Sequence, residues 1–278
     1  MEHRIKKKLP QAVWFLIVLF FFLLTVYPVI WMFCGSLKGP NEFYTNVWGL
    51  PSDPQWQNFA DAWKNGAMGE KFCNSLIVTL GSLLLLIPIN SCAAYAIGRL
   101  HFRGRRLIYG FLLMGIMIPS GVLGIPTFTV ALRMGLNNTH LGLILIYVGQ
   151  SIAMGVFIMR SFFISLPKEL EEAAMIDGCT PFGSFLRVIL PLASPGVMTQ
   201  IIFNGLTIWN EYFMANIMLT KAEKLTLPLS IANFVGQHTT NYPVLFAALT
   251  IVTLPVVITY VLAQKGFIEG VSAGAVKG

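Results

Sequence analysis

The strongest constraint on the fold is a set of six apolar runs, each near the twenty residues that an α-helix needs to cross a bilayer. Charged residues make up only 11% of the 278 residues, and the mean hydropathy is +0.70, both outside the range of soluble domains. The sequence therefore predicts an all-α integral membrane protein with one transmembrane domain over residues 1–278. The six predicted spans are 12–33, 72–97, 107–130, 142–163, 195–218 and 244–263.

Lysine and arginine predict how these helices are oriented. If six helices alternate, 13 of the 19 Lys and Arg residues lie on one side, with clusters at 4–8 and 99–106. Because positive residues are retained on the cytoplasmic side, both termini are predicted to be cytoplasmic. This topology also accounts for the formal net charge of +7. We therefore expect a lipid bilayer as a partner and no nucleic-acid partner.

Known catalytic patterns are absent from the sequence. It contains neither the phosphate-binding pattern GxxxxGK[ST], nor the metal-binding pattern HExxH, nor the nucleophile pattern GxSxG. The four histidines are scattered over the N-terminus and both predicted sides. We therefore expect no catalytic residue, no metal site and no cofactor in this chain, and interpret it as a conduit rather than an enzyme.

Residues 164–194 form a polar, acidic island between predicted helices 4 and 5. Pro167 suits the first position of a helix, and the acidic residues that follow favour the positive end of its dipole. Gly178 tolerates the left-handed dihedral angles that end a helix. One face of this helix carries small residues that let another protein approach closely: Leu170, Ala173, Ala174 and Asp177.

The island continues with a second predicted short helix. It starts at Thr180-Pro181, and Leu190-Pro191 is predicted to break it before Ser194-Pro195 opens helix 5. The island is thus predicted to be a helix-turn-helix on the cytoplasmic face.

Predicted helix 5 carries a polar stripe. Its members are spaced so that they fall on one face of a helix: Gln200, Asn204, Thr207 and Glu211. A carboxylate facing lipid costs at least about 2.5 kcal/mol, so Glu211 needs a partner or a wet cavity. Two interpretations stay open, a structural hydrogen bond to a neighbouring subunit and a role, with Asn210, in lining a translocation path. Trp209 and Tyr212 flank these residues and could stack on a sugar ring.

Other polar and proline residues lie inside the predicted spans. Asn90 and Ser91 in helix 2, and Gln150 and Ser151 in helix 4, could line the path or join helices. Three prolines are predicted to interrupt helices 2 and 3: Pro88, Pro119 and Pro126.

The island also resembles the EAA loop of binding-protein-dependent ABC importer permeases. That pattern reads E-A-A, three residues, G, nine residues, I, one residue, L-P. Val188 replaces the isoleucine here, and six positions match: Glu172, Ala173, Ala174, Gly178, Leu190 and Pro191. The resemblance implies the fold of a type I ABC importer permease. It also implies that the loop is a coupling helix that docks on a cytoplasmic ATPase, with Glu172, Ala173, Ala174, Asp177 and Gly178 as the candidate coupling residues.

Further landmarks resemble the carbohydrate-uptake permeases of the maltose-transporter type. They are Ser36-Leu37-Lys38, Asn41-Glu42-Phe43, Asn58-Phe59, Phe72 with Asn74-Ser75, Trp209-Asn210-Glu211-Tyr212 and the terminal segment 270–278. This resemblance implies a subunit of a sugar importer in a bacterial cytoplasmic membrane. The implied partners are a second, homologous permease, two ATPase subunits that bind ATP and Mg, and an extracytoplasmic solute-binding protein. The tail, 264–278, resembles the tail of that type that reaches between the two ATPase subunits, and its small residues would let an extended backbone enter a narrow cleft. A frayed terminus without a role is the alternative.

Two alternatives remain from the sequence. A secondary transporter or channel could use Glu211 for ion coupling, although a single intramembrane carboxylate and the lack of a repeated half argue against it. A membrane-embedded enzyme is disfavoured by the missing catalytic constellations.

Overall fold

The structure, a computed structural model, describes residues 2–235 and 240–275. These residues are helical, with no β-strand among them. In chain order the α-helices are α1 Glu2–Ser36, α2 Pro40–Thr45, α3 Gln57–Asn65, α4 Met68–Arg99, α5 Arg105–Met117, α6 Gly124–Arg133, α7 His140–Ser165, α8 Glu169–Ile176, α9 Pro181–Ser184, α10 Leu190–Leu192, α11 Ser194–Trp209, α12 Phe213–Met218 and α13 Tyr242–Ala275. A π-helical turn, Phe185–Ile189, joins α9 to α10, and 3-10 turns occupy Ala222–Lys224 and Leu227–Phe234.

Four of the described helices are long and apolar enough to cross a membrane, namely α1, α4, α7 and α13. The pair Pro181–Leu192 and Ser194–Trp209, bent by 71°, makes a fifth if it is one span. The sequence predicted six. Two predicted helices are divided: helix 3 into α5 and α6, of 13 and 10 residues, and helix 5 into α11 and α12, of 16 and 6 residues. Neither α5 nor α6 is long enough to cross about 30 Å of hydrocarbon alone at 1.5 Å per residue.

The prolines interrupt helices as predicted in one place and not in another. Pro119 lies in the break between α5 and α6, and Pro126 lies in the first turn of α6, where a missing N–H costs little. The predicted interruption at Pro88 is wrong, since α4 continues through that residue. A proline removes one hydrogen bond of the ladder, and a 32-residue helix retains the others.

The chain divides into two compact units by the contacts of its residues, and the single transmembrane domain stays a prediction. One unit combines Met1–Met68 with Ile231–Thr253. In it the segment after α1 folds back on that helix: Lys38 Nζ donates to the Asn46 and Val47 carbonyls. Asn58 Nδ2 donates to the carbonyls of Ser36 (2.8 Å) and Lys38 (3.0 Å). These bonds give a physical role to two sequence landmarks, since they close the turn that follows α1.

Glu42 stabilises the same turn. Its Oε1 accepts a hydrogen bond from the Ser52 amide at 2.7 Å, and this bond holds the pKa of the Glu42 carboxyl below its usual value. Aromatic rings complete the unit, with Phe43 stacked on Tyr242 at 5.5 Å between centroids and Trp31 edge-on to Phe246 at 5.1 Å. Side-chain and ring contacts therefore give this unit its own packing.

The other unit combines Gly69–Ser230 with Leu254–Gly278 and contains two apolar clusters. One cluster packs α4 and α7 against α12 around Tyr147, Met214 and Met218. Asn74 and Ser75 tie the start of α4 to a later loop: Asn74 Nδ2 donates to the carbonyls of Glu223 and Leu225, and the Leu227 amide donates to Ser75 Oγ at 2.8 Å. The second cluster lies at the other end of α4, around Tyr95, Phe163 and Phe185.

The last helix is longer than predicted. The predicted span 244–263 lies within α13, which continues as a helix to Ala275, so residues 264–275 are not the extended tail expected from the resemblance. The helix continues through three glycines, Gly266, Gly270 and Gly274, although glycine is a poor helix former. The remaining tail residues, 276–278, lie outside the described residues.

Candidate functional site: an acidic loop and a polar pocket

The acidic loop folds as the sequence predicts. Leu166, which follows α7, is extended at ψ 142°, as expected before a proline. Gly178 ends α8 with φ +87°, a left-handed conformation that glycine adopts without strain. The Thr180 side chain then accepts a hydrogen bond from the Gly183 amide at 3.1 Å and caps α9. The predicted helix-turn-helix is confirmed over 169–184.

The predicted break at Leu190-Pro191 is wrong. The chain passes from α9 through the π-helical turn into α10 without leaving a helical conformation. The bend of 71° follows at Ala193 instead. Pro191 lies directly after the π-helical turn, as the second residue of α10.

Some residues of the predicted small-residue face of α8 are buried and others are exposed. Ala174 is buried, at 6% exposure, and Leu170 packs against the apolar cluster around Phe185, so these two residues face the interior of the unit. Ala173 and Asp177 are exposed, as are Glu172 and Gly178. Among the predicted coupling residues, Ala174 is therefore unavailable to a partner in this conformation. Sequence spacing could not separate the buried residues from the exposed ones, because residues three and four apart lie on the same broad face of a helix.

Exposed apolar side chains on α8 were missed by the sequence analysis. Ile176 is 86% exposed and Met175 is 47% exposed. They lie on a short helix that is otherwise acidic and is not among the candidate membrane spans. Large apolar side chains at a polar surface are typical of an interaction site. The sequence EEAAMI could have indicated them. Its last four residues are all apolar, and four consecutive residues of a helix cannot all lie on one side of it.

The polar stripe of predicted helix 5 ends at a break in that helix. Helix α11 ends at Trp209 and α12 begins at Phe213. Glu211 lies in the break and caps α12, accepting from the amides of Met214 (2.7 Å) and Ala215 (3.0 Å). Tyr147 Oη donates to Glu211 Oε2 at 2.5 Å. Glu211 thus has a structural hydrogen-bond role within this chain.

Glu211 also borders a pocket of about 290 Å³. Polar groups from α7 and α11 face it, with Tyr147, Gln150 and Ser151 on one side and Thr207 and Glu211 on the other. The lining is completed by Ser120, Gly121, Ile208, Phe213 and Met214. Hydroxyl, amide and carboxylate groups beside an aromatic ring can hydrogen-bond and stack on a neutral, hydroxyl-rich ligand.

The other half of the stripe is buried away from any such pocket. Gln200 is 0% and Asn204 is 2% exposed, and Gln200 Nε2 donates to the Gly155 carbonyl at 3.1 Å. Asn90 is also 0% exposed, and a Cβ built on Gly155 would lie 1.8 Å from its Nδ2. These amides lie where α4, α7 and α11 approach closely. Gln200 joins α11 to α7, whereas neither polar atom of the Asn90 side chain has a hydrogen-bond partner among the described residues, so the two alternatives for Asn90 stay open.

The remaining predicted path residues lie elsewhere. Asn210 is exposed, with its Nδ2 bonded to the Leu206 carbonyl at 2.8 Å, and it does not line the pocket beside Glu211. Trp209 contacts Phe72 edge-on at 5.5 Å, and Tyr212 is 46% exposed. Phe213, not Trp209 or Tyr212, supplies the ring at the pocket.

Tyr147 is the pocket residue that the sequence analysis missed. It precedes Gln150 and Ser151 by three and four residues, a spacing that places all three on one helix face. That spacing was a usable signal. No group of three or more His, Cys, Asp or Glu side chains suited to hold a metal ion occurs within 2–235 and 240–275.

The sequence profile of the family described as "Binding-protein-dependent transport system inner membrane component" matches residues 90–272. The probable ABC transporter permease protein YurM of Bacillus subtilis is 34% identical, and the match covers 100% of this chain and 94% of YurM. The diacetylchitobiose uptake system permease protein NgcG of Streptomyces coelicolor is 34% identical, with coverage of 90% and 84%. The trehalose transport system permease protein SugB of Mycobacterium tuberculosis is 32% identical, with coverage of 90% and 92%.

The fold is similar to that of a chain in the crystal structure of a bacterial ABC transporter involved in the import of the acidic polysaccharide alginate. The TM-score is 0.79 at 23% identity, and the match covers 94% of this chain and 97% of the other. A second structure, of a bacterial alginate ABC transporter in complex with an alginate pentasaccharide-bound periplasmic protein, gives a TM-score of 0.65 at 17% identity, with coverage of 93% and 94%.

Proposed function

Because the chain belongs to the family of binding-protein-dependent transport system inner membrane components, we propose that it is a permease subunit of an ATP-driven oligosaccharide importer. It is a multi-pass membrane protein, and the proposal places it in a bacterial cytoplasmic membrane with both termini in the cytoplasm. Relatives named for the uptake of diacetylchitobiose, arabinooligosaccharides and trehalose support an oligosaccharide as the substrate.

The observation that carries the proposal is the apolar pair Met175 and Ile176 on the acidic helix α8, 47% and 86% exposed. Adjacent exposed apolar side chains rimmed by polar residues are typical of a surface that a partner covers. In the proposed importer the partner is a cytoplasmic ATPase, and Ile176, Ala173 and Asp177 contact it. Two such ATPases bind ATP and Mg, so this chain contributes no catalytic group.

The remaining partners follow from the same proposal. A second, homologous permease completes the translocation path, and an extracytoplasmic solute-binding protein delivers the sugar. The pocket beside Glu211 is the part of the path that this chain supplies, with Gln150 and Thr207 as hydrogen-bonding groups. ATP-driven closure of the ATPases moves α8, and the membrane helices respond by exposing the path to the other side.

Uptake by the reconstituted complex tests the proposal. The chain is co-expressed with candidate partner permease and ATPase subunits, placed in proteoliposomes with ATP inside, and supplied with binding protein and a labelled oligosaccharide panel. We expect uptake that requires ATP hydrolysis and stops with a hydrolysis-deficient ATPase. Uptake driven by an ion gradient without ATP would instead support a secondary transporter.

One substitution tests the pocket within the same assay. Gln150→Leu removes an amide from the lining while keeping the side-chain volume, and we expect sugar uptake to fall about tenfold, as for one lost hydrogen bond. Asn216→Leu is the matched control, because Asn216 is exposed on α12 and does not line the pocket. Equal uptake by the two variants would exclude the pocket from the path.

A further inference from the structure

The C-terminal end of α4 contacts both arms of the acidic loop. Arg99, the last residue of α4, has its Nε 3.7 Å from Glu171 Oε1, in the first turn of α8. Its Nη2 donates to the Leu166 carbonyl at 2.6 Å, and Leu166 is the residue that follows α7. One guanidinium therefore joins the ends of three helices.

These charged groups are shielded from water. The Arg99 side chain is 3% exposed and the Glu171 side chain is 16% exposed. A shielded ion pair is screened little by salt, and removal of one partner leaves the other as an uncompensated charge. The orientation of α8 relative to α4 therefore depends on this pair far more than it would on a surface ion pair.

The second arm of the loop rests on the preceding turn of α4. Tyr95 and Arg99 are four residues apart and so share a helix face. The Tyr95 ring lies 4.6 Å from the ring of Phe185, the first residue of the π-helical turn, and 5.8 Å from Phe163 in α7. Tyr95 thus holds the segment after α8, while Arg99 holds α8 itself.

Close packing makes this end of α4 stiff toward α7. Gly98 lets the two helices approach, since a Cβ there would lie 3.4 Å from Arg160 Cγ. Arg160 does not compete for Glu171, because its guanidinium lies over the Tyr109 ring at 4.1 Å. Arg160 thus stays with α7 and Tyr109, and Glu171 is left to Arg99.

We propose that Arg99, paired with Glu171 and the Leu166 carbonyl, is the positioning residue through which movement of α8 enters the membrane helices. The inference rests on the proposed function, since it needs an ATPase that moves α8. Arg99 and Glu171 do not belong to the docking surface, because they face the interior. Their loss is expected to uncouple transport from ATP hydrolysis without releasing the ATPase.

Glu171→Gln tests the pair with almost no change in volume, and Glu169→Gln is the matched control. Glu169 lies on the same helix, two residues earlier, and is exposed. Both variants are purified as full complexes, and assembly, ATP hydrolysis and sugar uptake are measured on the same proteoliposomes. Hydrogen exchange of the α8 amides is measured on the same preparations as a readout that does not require turnover.

For Glu171→Gln we expect an assembled complex that hydrolyses ATP, takes up about tenfold less sugar per ATP, because one partner of a shielded ion pair is lost, and exchanges the α8 amides faster. Glu169→Gln is expected to match the wild type. An unchanged ratio of uptake to hydrolysis in Glu171→Gln overturns the inference, and so does loss of the ATPase, which would place Glu171 in the docking surface. A wild-type complex with no ATP-dependent uptake rejects the proposed function itself, and the two failures are thereby distinguished.

Discussion

Replacement of Glu211 by alanine is expected to destabilise the chain as well as alter the pocket. The substitution removes the cap of α12, which rests on the Met214 and Ala215 amides, and such a cap contributes about 0.5–2 kcal/mol. It also leaves the Tyr147 hydroxyl without its acceptor, which costs about 1–3 kcal/mol for a buried group. The free energy of unfolding should therefore fall by about 1.5–5 kcal/mol.

A double-mutant cycle separates these contributions. Tyr147→Phe keeps the ring and removes only the donated bond, so it should cost about 1–3 kcal/mol. The double variant with Glu211→Ala should lose about 1 kcal/mol less than the sum, because the single changes remove one shared bond. Denaturant titration of the full chain in mixed micelles gives these differences.

Tyr212→Phe is the control for that cycle. Its ring is 46% exposed and adjacent to Glu211 in sequence, so the change in stability should stay within about 0.5 kcal/mol. Equal stabilities for Glu211→Ala and Tyr212→Phe would refute the capping role. The pocket would then be the only remaining reason for a carboxylate at this position.

Two further substitutions test the loop and the buried amides. Ile176→Asp should lower co-purification of the ATPase about tenfold or more, since burial of the isoleucine side chain contributes about 1.5–3 kcal/mol. Ile176→Leu should retain co-purification. Equal recovery of the ATPase with both variants would show that Ile176 is not in the interface. Gly155→Ala should lower the free energy of unfolding by about 1–3 kcal/mol, because its Cβ would lie 1.8 Å from Asn90 Nδ2. Gly149→Ala in the same helix meets nothing within 4 Å, and a matching loss there would show that overpacking is not the cause.

Features set by local backbone chemistry could be predicted from the sequence. The positive φ of Gly178 and the cap by Thr180 depend on residues within a few positions, and both follow from the preferences of glycine and threonine. The four long helices also lie where apolar length places them. Pro119 marked the break between α5 and α6 for the same local reason.

Features set by packing between helices could not be predicted in the same way. In a bilayer, apolar residues face lipid as well as protein, so hydropathy does not show which side of a helix is buried. Ala174 and Ala173 are adjacent alanines in the sequence, yet the first is buried and the second is exposed. The helix break at Glu211 could not be predicted either. A carboxylate caps a new helix only if the preceding helix has already ended, and the sequence does not show that α11 ends there.

The polar stripe of predicted helix 5 combines two roles. The regular spacing of its residues could not distinguish them. Its inner residue, Gln200, bonds to the Gly155 carbonyl and lies fully buried, so a ligand cannot reach it without separation of α11 from α7. Its outer residue, Glu211, borders the pocket and is held by three donors. A rigid carboxylate can present a free lone pair to a passing hydroxyl without reorganising, because two oxygens offer about four acceptor sites. The inner half of the stripe thus fixes the helices against which the outer half forms the path.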